Sequence, residues 1–137
     1  MIKKINHVAI VVKNLDEALK LYEGLFDVKA TRIETLTEQG VKAALIPMGD
    51  SGEIELLEPI DPNSGLAKFL KDKGEGIHHI CLEVDNIDQV LNTIAERGGQ
   101  LIDKKGRKGL VGQIGFIHPK STKGVLIELA QAYGQSD

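Results

Sequence analysis

Two stretches of the chain repeat each other without a gap, and this repeat constrains the fold more than any other feature. Residues 7–24, HVAIVVKNLDEALKLYEG, align with residues 79–96, HICLEVDNIDQVLNTIAE, at an offset of 72 positions. In each copy a histidine opens an alternating apolar run, which predicts a β-strand. We therefore expect the chain to contain two copies of one supersecondary unit.

Each of these strands is followed by the signature of a helix start. Asn14 and Asn86 are candidate N-cap residues, with Glu17 and Gln89 three positions later, as in a capping box. The apolar residues that follow recur at i, i+3, i+4 and i+7, so each helix should bury one stripe against a sheet. The stripes consist of Leu15, Ala18, Leu19 and Tyr22 in the first helix and Ile87, Val90, Leu91 and Ile94 in the second.

Three strand-like stretches follow each helix. They cover roughly 28–36, 41–48 and 53–58 in the first half and 100–104, 112–118 and 125–130 in the second. The pattern predicts an α+β fold in which two β-α-β-β-β modules form a curved, partly closed eight-stranded mixed sheet around a shared cavity.

The domain organisation follows from the same pattern. We expect a single domain over residues 1–137, with repeat one at about 3–60 and repeat two at about 77–131. Residues 61–76 would join the repeats through a short helix capped by Ser64.

Composition excludes several classes of function. The net charge of −3, the absence of Trp and the presence of only three Phe and two Tyr give no basic face and no stacking platform for nucleic acid. The first apolar run has only about five residues, too short for a signal sequence or a membrane span. Cys81 is the single cysteine, which excludes an intrachain disulfide and fits a reducing compartment. We therefore expect a soluble cytoplasmic protein without membrane or nucleic-acid partners.

Each half offers a histidine at the start of its first strand and a glutamate in its last strand. These residues are His7 with Glu55 and His79 with Glu128. A carboxylate inside the apolar run VLIELA needs a cation or hydrogen bonds to offset its desolvation. Two imidazoles and two carboxylates suit one divalent Zn, Ni, Co, Mn or Fe ion, and the absence of thiolates argues against a closed structural zinc site.

Taken singly, each of these residues is better explained as a packed core histidine or a solvated edge glutamate. Packing does not require the same residue types at corresponding places in both repeats. The recurrence therefore favours one metal ion per chain, bound by all four residues.

Four segments carry a resemblance to a known family: INHVAIVV, ELLEP, GEGIHHICLEVDNI and FIHPKSTKGVLIEL. Over residues 3–131 the chain resembles the vicinal oxygen chelate (glyoxalase–bleomycin resistance) superfamily and, within it, the methylmalonyl-CoA epimerase family. The resemblance implies metal ligation by His7, His79 and Glu128, with Glu55 where some epimerases have Gln. It implies that His78 points to the opposite face from His79.

The resemblance also implies a reaction and its partners. The reaction is the epimerisation of (R)- and (S)-methylmalonyl-CoA at C2 through a metal-stabilised enolate, in propionate metabolism. The substrate would be a coenzyme A thioester, the cofactor a divalent Co, Ni, Mn or Zn ion, and the assembly a homodimer.

Glu128 is the candidate catalytic base. Several bacterial epimerases have a second Glu in the strand after the QGV turn, where this chain has Ala43. The opposite-face partner therefore stays open among Glu55, a metal-bound water and His118.

Candidate substrate-binding residues are Gln39, His118 and Lys120. Each of the three can also be explained as a simple turn residue. The basic run Lys104, Lys105, Arg107 and Lys108 could meet coenzyme A phosphates. A solvated hairpin is the alternative for this run.

Two rival functions share the predicted fold. A glyoxalase I-type isomerase (lactoylglutathione lyase) can use the same ligand set, but glyoxalases tend to have a DPDG-type turn where this chain has HPKSTKG. A metal-free small-molecule binding or resistance module would not need four ligand-type residues. Both observations favour the epimerase.

Overall fold

The computed structural model describes residues 1–134. This part of the chain contains eight β-strands and three α-helices. The strands and helices belong to two compact units: one comprises His7–His78, and the other comprises Met1–Asn6 and His79–Asp137. The boundaries between the units fall inside strands, and each unit contains its own β-α-β-β-β pattern.

The unit formed by His7–His78 contains most of the first strand, two helices and three further strands. In chain order these elements are β1 (Ile2–Val11), α1 (Leu15–Phe26), β2 (Arg32–Leu36), β3 (Val41–Pro47), β4 (Glu53–Pro59) and α2 (Gly65–Lys73). The strand order in this unit is β2-β3-β4-β1. The β1–β4 pair is parallel and the other two pairs are antiparallel.

The second unit repeats this arrangement with one helix. Its elements are β5 (Gly76–Val84), α3 (Ile87–Glu96), β6 (Arg107–Lys108), β7 (Gly112–Ile117) and β8 (Ile127–Ala132). The strand order is β5-β8-β7-β6, with β5 and β8 parallel and the other pairs antiparallel. Residues Met1–Asn6, which include the start of β1, also belong to this unit. The Asp85 amide donates to the Met1 carbonyl oxygen, and the Asn6 side chain donates to Glu83.

The predicted helix starts are confirmed. The side chains of Asn14 and Asn86 accept the backbone N–H of Glu17 and Gln89, at 2.9 and 3.0 Å. Ser64 caps α2 in the same way. These bonds satisfy amide groups that the first turn of a helix otherwise leaves without a partner.

The two predicted helix stripes form separate apolar clusters on the helix side of the strands. In one unit Leu15 and Leu19 pack with Leu56 of β4, and in the other Val90 and Leu91 pack with Leu129 of β8. Alternation along the strands leaves the intervening residues facing the opposite side of each sheet. Those intervening positions include all four predicted metal ligands.

One predicted strand is wrong. The β-bridge in the stretch 100–104 is an isolated one, Leu101 with Ile117, although the amides of Ile102 and Asp103 donate to the Phe116 carbonyl oxygen. The edge strand is instead β6, inside the basic run. The cause is the Asp103 side chain, which takes the place of a backbone hydrogen-bond partner for β7. The Asp103 carboxylate accepts the Phe116 amide at 2.8 Å, so regular pairing with β7 begins only after Gly106.

The other strand boundaries differ only at their ends. Residues 28–31, predicted as strand, precede β2, and the last strand begins at Ile127 rather than 125. Residues 135–137, which the predicted single domain includes, lie outside the described part of the chain. Within residues 1–134, no helix is long and apolar enough to cross a lipid bilayer.

The turn at Gln39 and Gly40 supports a prediction about stability. Gly40 has φ +67°, and a Cβ added there would lie 2.5 Å from the Asp61 Cβ. Gly40→Ala should therefore lower the free energy of unfolding by about 1–3 kcal/mol, measured by urea denaturation.

Gly24→Ala is the matched control, because this helical glycine has nothing within 4 Å of an added Cβ. It should raise stability by about 0.5–1 kcal/mol. Equal stability changes in the two variants would contradict the assigned turn geometry.

Candidate metal centre

The first histidine–glutamate pair joins β1 and β4. His7 Nε2 lies 3.4 Å from Glu55 Oε1, and the exposed fractions of the two residues are 1% and 6%. The parallel register explains the contact: Glu55 pairs with Ala9, two residues along the same face from His7. The side chains therefore lean toward each other across adjacent strands.

The second pair joins β5 and β8 in the equivalent way. His79 Nε2 lies 3.0 Å from Glu128 Oε1, and the exposed fractions of these residues are 4% and 6%. Glu128 pairs with Cys81, again two residues from the histidine on the same face. The repeat found in the sequence is thus reproduced as a repeat of side-chain geometry.

The donor atoms of each pair fit a divalent metal ion. Two ligand atoms about 2.1 Å from an ion, at tetrahedral or octahedral angles, lie about 3.0–3.4 Å apart. The observed N–O distances of 3.4 and 3.0 Å match this separation. A buried carboxylate also needs a cation or hydrogen bonds to offset its desolvation. His7, His79 and Glu128 each offer one buried ligand atom of a suitable type.

The two adjacent histidines of β5 have different surroundings. The ring of His78 meets Phe69 of α2 edge-to-face, with ring centroids 4.9 Å apart. The ring of His79 meets Phe116 of β7, with centroids 5.4 Å apart. Successive strand residues point to opposite faces, so only His79 lies beside Glu128.

His118 and Lys120 lie together in the turn between β7 and β8. His118 is half-buried and caps a 3₁₀ turn over Pro119–Thr122, where its Nδ1 accepts the Lys120 amide at 3.1 Å. Because Nδ1 is an acceptor, the proton of the neutral ring is on Nε2. The His118 amide donates to the Gln100 carbonyl oxygen, and this bond ties the turn to the chain before β6.

Gln39 lies in the other unit, exposed at the end of a 3₁₀ turn over Thr37–Gln39. Gly40 follows it, and the Gly40 carbonyl oxygen accepts the amides of Ile60 and Asp61. Ala43 is buried in β3 opposite Leu57, so no carboxylate is present at this position.

The basic run lies at an exposed edge. Lys104 and Lys105 precede β6, and Lys108 ends it. The Arg107 Nε donates to Asp103 Oδ1 at 3.1 Å. Arg107 is therefore already paired with an acid, and the three lysines are exposed to solvent.

Sequence reasoning missed three residues of this region. Glu83 is 7% exposed, accepts from Asn6 Nδ2 at 2.9 Å, and continues the strand face of His79 and Cys81. Alternation in HICLEV could have revealed it. Phe116 and Asp103 could not have been found in this way, because their contacts depend on strand register and on the irregular path before β6.

Comparisons with known proteins identify the family of this chain. Residues 6–117 match the family model for the Glyoxalase/Bleomycin resistance protein/Dioxygenase superfamily. The mitochondrial methylmalonyl-CoA epimerase of Dictyostelium discoideum is 39% identical over 132 residues, which cover 95% of this chain and 79% of that protein.

Solved structures are similar over nearly the whole chain. A methylmalonyl-CoA epimerase in complex with methylmalonyl-CoA and NH4+ has a TM-score of 0.93 and 30% identity, and the match covers 98% of this chain and 97% of that one. The Mycobacterium tuberculosis methylmalonyl-CoA epimerase has a TM-score of 0.90 and 33% identity, with coverage of 96% and 89%. These matches confirm the predicted fold class. The chain belongs to the Glyoxalase/Bleomycin resistance protein/Dioxygenase superfamily and, within it, to the methylmalonyl-CoA epimerase family.

Proposed function

We propose that this chain catalyses the metal-dependent epimerisation of methylmalonyl-CoA at C2, with one divalent metal ion held jointly by four residues. The proposed ligands are His7, Glu55, His79 and Glu128. The observation that carries the proposal is the equivalent buried histidine–glutamate pair in each module. Family membership supports it, because relatives named as methylmalonyl-CoA epimerases match over most of the chain.

The hard step of this reaction is the removal of the C2 proton beside a thioester carbonyl. When bound, a divalent ion would supply a Lewis acid that stabilises negative charge on the thioester oxygen. Glu128 is the proposed base: its carboxylate takes the C2 proton, the C–H electron pair forms a double bond to the thioester carbon, and the carbonyl π pair moves onto the oxygen to give an enolate. Return of a proton to the opposite face of C2 inverts the centre.

The surroundings of Glu128 suit a base that works away from bulk water. On its face of the sheet, Cys81, Ile114 and Ala130 form a buried apolar cluster, with Phe116 packed against it. Exclusion of water strengthens electrostatic interactions with a developing charge. Glu55 and His118 are the chain's own candidates for the second proton donor, because Ala43 carries no acid.

Substrate binding is proposed for Gln39, His118 and Lys120. The His118 Nε2–H and the Lys120 ammonium group are donors, which suit the carboxylate or phosphates of a coenzyme A thioester. Gln39 offers an amide from an exposed turn. Lys104, Lys105 and Lys108 could provide further charge for the phosphates.

The rival functions are less well supported. A lactoylglutathione lyase would share the ligands, but the probable lactoylglutathione lyase of Vibrio cholerae is 30% identical to this chain, against 39% for the Dictyostelium discoideum epimerase. A metal-free binding module would not need a buried histidine–glutamate pair at equivalent places in both modules.

The domain organisation, assembly, metal identity and location of the enzyme are also proposed. We propose that residues 1–137 form a single domain, that the assembly is a homodimer, and that the metal is Co, Ni, Mn or Zn, with cobalt the first to test. We also propose a cytoplasmic location, since the buried thiol of Cys81 suits a reducing compartment. A role in propionate metabolism would follow from the substrate.

Proton NMR of methylmalonyl-CoA in deuterium oxide tests the function directly. The cobalt-loaded protein is expected to bind about one ion per chain and to exchange the C2 proton, so that the methyl doublet loses its coupling. The chelated protein should show only the slow background exchange. Turnover of the hemithioacetal of methylglyoxal and glutathione, without C2 exchange, would instead identify a glyoxalase.

A further inference from the structure

We propose that Phe116, held by Asp103 and Arg107, is a positioning residue that orients the imidazole of His79. The inference rests on the proposed function in one respect, namely that His79 is a metal ligand. All four residues belong to the same unit. Asp103 and Arg107 have no role in the mechanism above, and Phe116 enters it only as part of the apolar surroundings of Glu128. The assignment concerns the orientation of a ligand rather than contact with substrate.

Phe116 and His79 make a direct aromatic contact. The rings of Phe116 and His79 are nearly perpendicular, at 87°, with centroids 5.4 Å apart. Edge-to-face pairs of this kind are directional, because the ring edge is positive and the ring face negative. Phe116 also pairs with Glu128 in the β7–β8 register, so it stands beside both members of the second histidine–glutamate pair.

Phe116 is held on both its backbone and its ring. Its amide donates to Asp103 Oδ2 at 2.8 Å, and its carbonyl oxygen accepts the amide of Ile102 at 2.9 Å. The other oxygen of the same carboxylate, Oδ1, accepts Arg107 Nε at 3.1 Å. The guanidinium carbon of Arg107 lies 5.7 Å from the centroid of the Phe116 ring. Asp103 therefore binds both the backbone of Phe116 and the cation that covers its ring.

The Phe116 ring restrains the imidazole of His79. A ligand imidazole must keep its ring plane and its donor nitrogen aimed at the ion, and groups behind the ligand usually provide that restraint. Here the Nε2 of His79 faces Glu128, and the Phe116 ring restricts rotation of the imidazole. The positive charge of Arg107, which is half exposed, polarises the aromatic ring from the surface.

Cobalt binding tests this role in the full-length protein. Phe116→Leu keeps an apolar side chain but removes the ring, and should weaken Co²⁺ affinity by about three- to tenfold, the value of one edge-to-face pair. The visible absorption bands of bound Co²⁺ should shift, because the ligand geometry changes. Arg107→Gln, at a half-exposed position that should not prevent folding, is expected to shift the bands in the same direction by a smaller amount.

Phe69→Leu is the matched control, because it removes the similar edge-to-face contact to the neighbouring histidine, His78. It should leave both affinity and spectrum at parental values. Parental spectra in Phe116→Leu and Arg107→Gln, or an equal change in Phe69→Leu, would overturn the inference.

A measurement on the chelated protein separates this inference from the proposed function. The ¹⁵N–¹H long-range spectrum of the His79 imidazole should shift and broaden in Phe116→Leu and Arg107→Gln relative to the parent. If the parent bound no cobalt but its imidazole signals responded in this way, the metal-dependent function would fail and the positioning of His79 would stand. Imidazole signals that are identical in parent and variants would reject the positioning role, whatever the metal content.

Discussion

Glu128→Gln should retain metal yet lose at least about 100-fold in the rate of C2 proton exchange, since general acid–base catalysis typically contributes 10²–10⁴-fold. The amide keeps the size of the side chain and one ligand oxygen, but it is not a base. The measurement is deuterium incorporation at C2, followed by NMR, at equal occupancy of Co²⁺ in parent and variant. A rate within tenfold of the parent would reject Glu128 as the base.

Glu55→Gln is the matched control for this experiment. Glu55 holds the equivalent place in the first module, 3.4 Å from its histidine, and is equally buried. The resemblance to epimerases with Gln at this position implies that the amide is tolerated as a ligand. If His118 rather than Glu55 is the second proton donor, exchange should remain within about tenfold of the parent. If Glu55→Gln were inactive and Glu128→Gln active, with similar metal content, the two roles would have to be exchanged.

The largest effect on metal affinity is expected for His7→Ala and His79→Ala. Loss of a group that orients a ligand by a hydrogen bond typically lowers metal affinity 10–100-fold, so loss of a ligand itself should exceed about 100-fold. Each variant also leaves a buried carboxylate, Glu55 or Glu128, without its imidazole partner, which should lower thermal stability. Calorimetric titration with Co²⁺ measures affinity, and circular dichroism reports whether the strands remain formed.

His78→Ala is the control for these two variants. The side chain lies next to His79 in sequence, but its ring packs against Phe69 of α2. Its removal should change Co²⁺ affinity by less than about twofold, although it should cost some packing energy. Equal losses of affinity in His78→Ala and His79→Ala would mean that the wrong face of β5 has been assigned to the metal.

The alanine at position 43 limits which residue can transfer a proton on the second face of C2. Epimerisation needs proton transfer on both faces of C2, and β3 offers only a buried methyl group at this position. A second carboxylate from β3 is therefore unavailable in this chain. Exchange that survives in Glu55→Gln but slows in a His118→Gln variant would identify His118 as the second donor.

Local sequence patterns determined most of the helices and strands of this protein and which residues share a strand face. The Asn14 and Asn86 caps and the two apolar stripes depend on residues within one or two helical turns, so their spacing is sufficient to predict them. The histidine–glutamate pairing was also accessible, because the repeat at an offset of 72 carries the same residue types to equivalent strands.

Only the tertiary structure decided where the edge strand lies and what stands behind His79. Both depend on Asp103 reaching the amide of Phe116, a contact between side chain and backbone across 13 positions that no periodicity encodes. The placement of Phe116 beside Glu128 likewise follows from the β7–β8 register. A shift of this register by one residue would turn Phe116 to the opposite face of the sheet. Strand periodicity specifies which residues share a face, whereas contacts across strands are selected only when the whole sheet packs.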